Sequence, residues 1–247
     1  MITAIYGSLF YLAALILFGG VAYKIRQYTL TPAPLKIAVT PAPTTSTGVV
    51  FRMFREVVFF ETLFKSNKWI WLFGYIFHAS LLLVVLRHLR YFTEPVWFWV
   101  SLIQPFGLYA GFAAVVGLGG LWFRRIAVER VRYISSPSDH LMLALLAAIF
   151  LSGLFMRYVE RTDIVALKAF VLGLLYFDWQ PMPADPILMI HLGLVIVLMI
   201  VFPISKLLHA PGLFFSPTLN QVDNPREQRH LAPWAAKLDP RSGAGTN

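Results

Sequence analysis

The sequence contains no cysteine. That excludes disulfides, cysteine-ligated iron–sulfur clusters, covalently attached c-type haem and thiolate zinc sites from this chain. A redox centre held here has to draw on other ligands, and histidine is the first candidate. Charge is scarce as well. Only 13% of the 247 residues are charged, while 58% are hydrophobic. Soluble domains carry about 25% charged residues, so a water-soluble globule of this size is excluded. Acidic residues are the scarcer sign, 12 against 21 Lys and Arg, which leaves a net charge of +9. A basic excess is compatible with nucleic acid. Here, however, the basic residues flank apolar stretches, which is the pattern of a membrane topology signal, and no nucleic-acid partner is expected. What the sequence does have is aromatic side chains, 21 Phe, 10 Tyr and 7 Trp. They suit a lipid-facing surface with interfacial belts.

Five apolar stretches are long enough to cross a hydrocarbon core of ~30 Å, which takes about 20 residues. They run over Ile2–Tyr23, Trp69–Tyr91, Pro105–Phe123, His140–Tyr158 and Pro186–Leu208. None alternates with the period of two that barrel strands require, so all are read as helices. The fold class expected is an all-α membrane bundle of five transmembrane helices. The first stretch lacks a charged n-region and an A-x-A-like cleavage site, so it reads as a retained span.

The loops orient the bundle. Sixteen of the 21 Lys and Arg fall in segments 24–68, 124–139 and 206–247. The positive-inside rule then puts the N-terminus outside and the C-terminus in the cytoplasm of a cell (inner) membrane. Between spans, Thr31–Thr47 is rich in Pro and Thr and reads as an extended linker. Val50–Lys65 is amphipathic and is expected to lie along the cytoplasmic interface. Ile164–Phe177 is apolar but short, and reads as an outer interfacial helix. The expected division is a membrane domain over residues 1–210, with 24–68 as its interfacial segment, and a cytoplasmic docking tail over 211–247.

Six histidines are present, and four lie within or at the ends of two spans: His78 and His88 in the second, His191 and His209 in the fifth. Ionisable groups inside a membrane are costly and usually mark a function. A single one is readily explained by an interhelical hydrogen bond; two pairs on two helices are not. The second span runs outward and the fifth inward, which matches His78 with His209 near the inside and His88 with His191 near the outside. Two neutral imidazoles on opposite faces of one iron make bis-histidine haem ligation, which needs no thiolate. The rise fits imperfectly, since ten residues span ~15 Å and eighteen span ~27 Å. On a continuous helix, eighteen steps of ~100° put His191 and His209 on one face. Zinc or copper would want ligands clustered at one depth, often with carboxylates or thiolates.

Other residues surround these four. Arg87 and Arg90 flank His88 and suit a haem propionate or a quinone, with snorkelling at a helix end as the plain alternative. Gly74, Gly107, Gly111, Gly117, Gly119 and Gly120 either admit a flat macrocycle or serve helix packing. His140 follows Asp139 at the inner start of the fourth span, where Ser138 or Asp139 is a candidate N-cap; it reads as a surface histidine.

The five spans, with His-x9-His on the second and His-x17-His on the fifth, resemble the respiratory nitrate reductase gamma-type cytochrome b family. Within it, Asn67–Phe92, Ser138–Tyr158 and Pro225–Ala235 are similar in wording to the membrane cytochrome b subunit of Dsr sulfur-metabolism complexes. The resemblance implies two haem b, His78 and His209 as axial ligands of the inner one, and His88 and His191 of the outer. It implies electron exchange with quinone near the outer haem. It also implies a cytoplasmic iron–sulfur partner resembling a heterodisulfide reductase catalytic subunit, with further membrane and extracytoplasmic redox subunits. The family's quinol-binding lysine has no counterpart, because no lysine occurs between Lys68 and Lys168. Arg87, Arg90 and Glu94 are candidates for that role by depth.

Two readings of other classes stand beside this one. A proton channel with a histidine relay calls for carboxylates beside the histidines, and none of the five stretches contains Asp or Glu. A haemless anchor explains the cytoplasmic segments but does not require four buried histidines. The charge asymmetry makes a topology prediction: a C-terminal reporter that is active only in the cytoplasm should be active, and one requiring export should be silent.

Overall fold

The computed structural model describes residues 1–31 and 41–223, with Trp234 and Leu238. The linker between 32 and 40 and most of the tail beyond 223, including His230 and all of the Pro225–Ala235 stretch except Trp234, lie outside the described residues. Among the described residues the chain is helical, with no strand. The helices are α1 (Ile2–Leu30), α2 (Ser46–Phe59), α3 (Glu61–Ser66), α4 (Lys68–His88), α5 (Phe98–Ala127), α6 (Glu129–Tyr133), α7 (Pro137–Phe155), α8 (Ile164–Tyr176), α9 (Pro186–Val201), α10 (His209–Gly212) and α11 (Pro217–Asn220). Five are long and apolar enough to cross a membrane: α1, α4, α5, α7 and α9, the last three-residue extension of α9 included. The chain is a multi-pass membrane protein.

The chain forms two compact units. The first is Met1–Lys24 with Phe59–Leu208, and the second is Ile25–Val58 with His209–Asn247. In the first, α4 packs on α5, and α7 packs on both α5 and α9. Phe77, Ala114, Leu118, Leu146 and Phe150 form the buried centre of α4, α5 and α7. The Phe77 and Phe150 rings meet edge to face at 6.0 Å. A second cluster, Leu167, Phe170, Met182, Leu188 and Leu192, joins α8 to α9.

Sequence sets the helix ends. The Asn67 side chain accepts the Ile70 N–H at 3.0 Å and starts α4. Asp163 accepts from Val165 and Ala166 at the start of α8, and Asp185 from Ile187 and Leu188 at the start of α9. These oxygens satisfy amides that a helix start leaves unpaired. α7 begins earlier than the apolar run at His140 suggests. Its N-cap is Ser136, not Ser138 or Asp139, and the Asp139 carboxylate reaches back to accept the Ser136 N–H at 3.0 Å. α5 likewise begins at Phe98 and carries Pro105 inside it. The Gln104 side-chain amide, one residue before it, donates to Val100 O.

The fifth span departs most from a continuous helix over Pro186–Leu208. α9 ends at Val201, and short 3-10 turns follow at Phe202–Ile204 and Lys206–Leu208. Pro203 has no N–H to continue the ladder. Ser205 is extended, and its hydroxyl donates to Phe202 O at 3.0 Å. The expectation that His191 and His209 share one face of one helix is therefore corrected: the helical phase is lost at Ser205. The amphipathic stretch Val50–Lys65 is also divided. Phe60, at φ 51, separates α2 from α3. α2 leaves Val50, Phe51, Phe54, Val57 and Phe59 exposed.

Several glycines serve close packing of helices. A methyl at Gly117 would lie 2.7 Å from the Phe77 backbone nitrogen and 2.9 Å from Phe73 O, and one at Gly120 would collide with the Phe73 ring. Gly119, between them, faces open space. Gly117→Leu should therefore push α4 from α5 and lower stability by about 1–3 kcal/mol, whereas Gly119→Ala should be neutral or mildly stabilising. Thermal unfolding of the two variants in detergent separates these outcomes.

Candidate functional site

Histidines inside apolar helices need partners for their ring N–H groups, and these have them. His78 Nδ1 lies 2.8 Å from Gly74 O, and His88 Nδ1 lies 2.6 Å from Val84 O, each one turn back on α4. A carbonyl oxygen can only accept, so in the neutral imidazole Nδ1 carries the proton and Nε2 keeps its lone pair. This is the tautomer of a metal-ligating histidine whose far nitrogen is oriented by the backbone.

His191 is buried on α9 and is held from another helix. Its Nδ1 lies 2.9 Å from Ser152 Oγ on α7. The Ser152 hydroxyl donates to Ile149 O at 3.0 Å, which leaves Ser152 Oγ to accept from His191 and again leaves Nε2 with its lone pair. Gly153 adjoins this contact: a methyl there would lie 3.4 Å from His191 Cε1. His88 and His191 belong to one compact unit.

His78 sits between two aromatic rings. Phe60 and Phe77 approach it edge to face at 5.2 and 5.1 Å. The left-handed backbone of Phe60, costly for a residue with a side chain by roughly 1–2 kcal/mol, aims that ring at the imidazole. His78 belongs to the first unit, whereas His209 opens α10 in the second and is exposed. His140 is half-buried rather than on the surface, and its Nδ1 accepts the Trp122 indole N–H at 3.1 Å. Among the described residues no group of three or more His, Asp or Glu is placed to hold a metal ion. Imidazoles oriented through Nδ1 by carbonyl or hydroxyl oxygens have the donor chemistry that haem ligation by histidine uses.

Arg87 and Arg90 share one acceptor that sequence reading missed. Arg87 Nε and Arg90 Nη1 each donate to Gln104 Oε1 at 3.2 Å, and Gln104 Nε2 donates to Arg87 O at 3.3 Å. Gln104 is the lone side-chain amide in α5; that isolation was the available signal. The Arg87 stem packs on Gly107, where a methyl would lie 2.7 Å from Cδ. Among the described residues neither arginine is in an ion pair with a carboxylate. Glu94, by contrast, is paired with Lys168 on α8.

A buried carboxylate closes the other end. Asp139 accepts from Lys206 Nζ at 2.5 Å and faces Arg125 Nη1 at 3.3 Å. It thereby ties α5, α7 and the turns after α9 to one another. The acid was legible only as a capping residue, because its cationic partners lie far away in sequence.

A five-span helical bundle with neutral imidazoles on two of its spans defines a membrane cytochrome b type of protein. The nitrate reductase gamma subunit family model matches residues 47–222, and the chain belongs to that family. It is 36% identical to the Hdr-like menaquinol oxidoreductase cytochrome b-like subunit of Archaeoglobus fulgidus, over 95% of this chain and 84% of that protein. It is 33% identical to the protein of the same description from Archaeoglobus profundus, over 93% of this chain and 82% of that protein. A membrane electron-transfer role fits this family.

Asp139→Ala should remove the carboxylate that Lys206 and Arg125 share. Both cations are partly solvated, at 74% and 31% side-chain exposure, so the expected loss is about 1–3 kcal/mol rather than that of a fully buried pair. Thermal unfolding of the purified variant measures it.

Proposed function

We propose that the chain is a haem b membrane subunit that exchanges electrons between menaquinol and a cytoplasmic iron–sulfur subunit of a redox complex. The observation that carries the reading is the hydrogen bonding of three span histidines through Nδ1, which in a neutral imidazole is the tautomer of a metal-ligating histidine. His88 and His191 are the ligands of one haem, on the outer side. His78 and His209 are those of a second, on the inner side, a pairing that rests on their sequence order on two antiparallel spans. Haem b, when bound, supplies a one-electron carrier, and two at different depths give the two electrons of a quinol a path across the bilayer.

The chain's own residues supply the rest. The imidazoles would hold the iron, and Phe60 and Phe77 pack edge to face against His78. Arg87 and Arg90 offer cationic hydrogen-bond donors beside His88, suited to a haem propionate or to the oxygen of a quinone. The exposed apolar face of α2 and the basic loops suit the cytoplasmic interface, and the tail from 211 suits docking of the soluble partner. The menaquinol named in the relatives' descriptions supports the choice of quinone, and their Hdr-like description supports an iron–sulfur partner resembling a heterodisulfide reductase catalytic subunit. The finer assignment is to a Dsr-type complex of sulfur metabolism with further membrane and extracytoplasmic redox subunits. It rests on the wording of Asn67–Phe92 and Ser138–Tyr158.

Dithionite-reduced membranes containing the full chain should show the α-band of b-type haem. His88→Ala and His191→Ala should each remove about half of it, and the half removed should be the same for both. A colourless wild-type protein would instead favour a haemless anchor or a histidine relay.

A further inference from the structure

The histidines differ in what holds them. His78 and His88 are oriented by carbonyls of their own helix. His191 is oriented by a side chain of a different helix, the Ser152 hydroxyl on α7. The next residue on α7, Gly153, adjoins the ring: a methyl there would meet His191 Cε1 at 3.4 Å, ordinary van der Waals contact. The imidazole of His191 thus lies against consecutive residues of α7, a serine that accepts its proton and a glycine beside its ring.

From this geometry we infer that Ser152 is a positioning residue that fixes the tautomer and basicity of His191 and so sets the redox potential of the centre His191 ligates. The inference rests on the haem reading above. The hydroxyl donates its only hydrogen to Ile149 O. Its oxygen is thereby polarised and is left to accept the Nδ1 proton. An acceptor on the far nitrogen makes a ligating imidazole a stronger donor, which favours ferric over ferrous iron and lowers the potential. The bond joins α7 to α9, so the ligand strength of His191 depends on the register of those two helices. His88 has no such dependence.

Removing the hydroxyl leaves a buried N–H unpaired or drives the proton to Nε2, where it blocks ligation. Ser152→Ala should therefore raise the midpoint potential of one haem and change the g-values of its low-spin ferric EPR signal. The other haem should be unmoved. Ser152→Thr retains the hydroxyl and should restore both readouts. His191→Ala in the same membranes identifies which signal belongs to the His191 centre.

Either a one-haem potential shift or loss of that one haem in Ser152→Ala, reversed in Ser152→Thr, supports the inference. An unchanged potential, an equal shift of both haems, or a threonine variant as altered as the alanine one overturns it. If His191→Ala keeps the full haem content, the haem reading itself fails, whatever Ser152 does.

Discussion

In hydrocarbon every polar group must find its partner inside the protein, and this constraint organises the whole bundle. Polar side chains within the apolar helices are few, and the positioned ones bridge to something specific. Tyr6 donates to Met189 O at 2.9 Å and Tyr11 to Leu174 O at 2.7 Å, fastening α1 to α9 and α8. Ser152 joins α7 to α9 through His191. Gln104 joins α5 to both arginines at the end of α4. The same rule commits one nitrogen of each of three span histidines and leaves the other with a lone pair. Structure and proposed chemistry thus follow from one requirement: a neutral imidazole stable in lipid with Nδ1 bonded is already in the form that ligates iron through Nε2.

Close packing provides the second support. Gly117 and Gly120 bring α5 against the backbone and ring of α4 near Phe73 and Phe77, and Phe77 both fills the centre of the first core cluster and flanks His78. Ligand placement and helix packing are therefore set by the same few residues. The glycines that invited a reading as openings for a macrocycle serve helix packing at Gly107, Gly111, Gly117 and Gly120.

Much of this was legible in the sequence. The five apolar runs, the apolar short helix α8 and the family follow from length, periodicity and histidine spacing. Helix starts were harder, because α5 and α7 begin in polar or aromatic residues outside the apolar window, at Phe98 and Pro137. The end of α9 depended on weighing Pro203 together with Ser205, whose extended backbone breaks the phase on which the shared face of His191 and His209 relied. Contacts between distant segments were not legible at all. Gln104 as the common acceptor of Arg87 and Arg90, Asp139 as the partner of Lys206, Trp122 as the donor to His140, and Ser152 as the partner of His191 each require the fold to bring two helices together.

The central claim is that imidazole pairs on two spans hold iron porphyrin. Haem-to-protein stoichiometry of the full chain, purified from its native membrane in its complex and corrected for haem on other subunits, tests it most directly. The account predicts two b-type haems per chain, titrating as two one-electron steps of similar amplitude. A chain that carries none would contradict it.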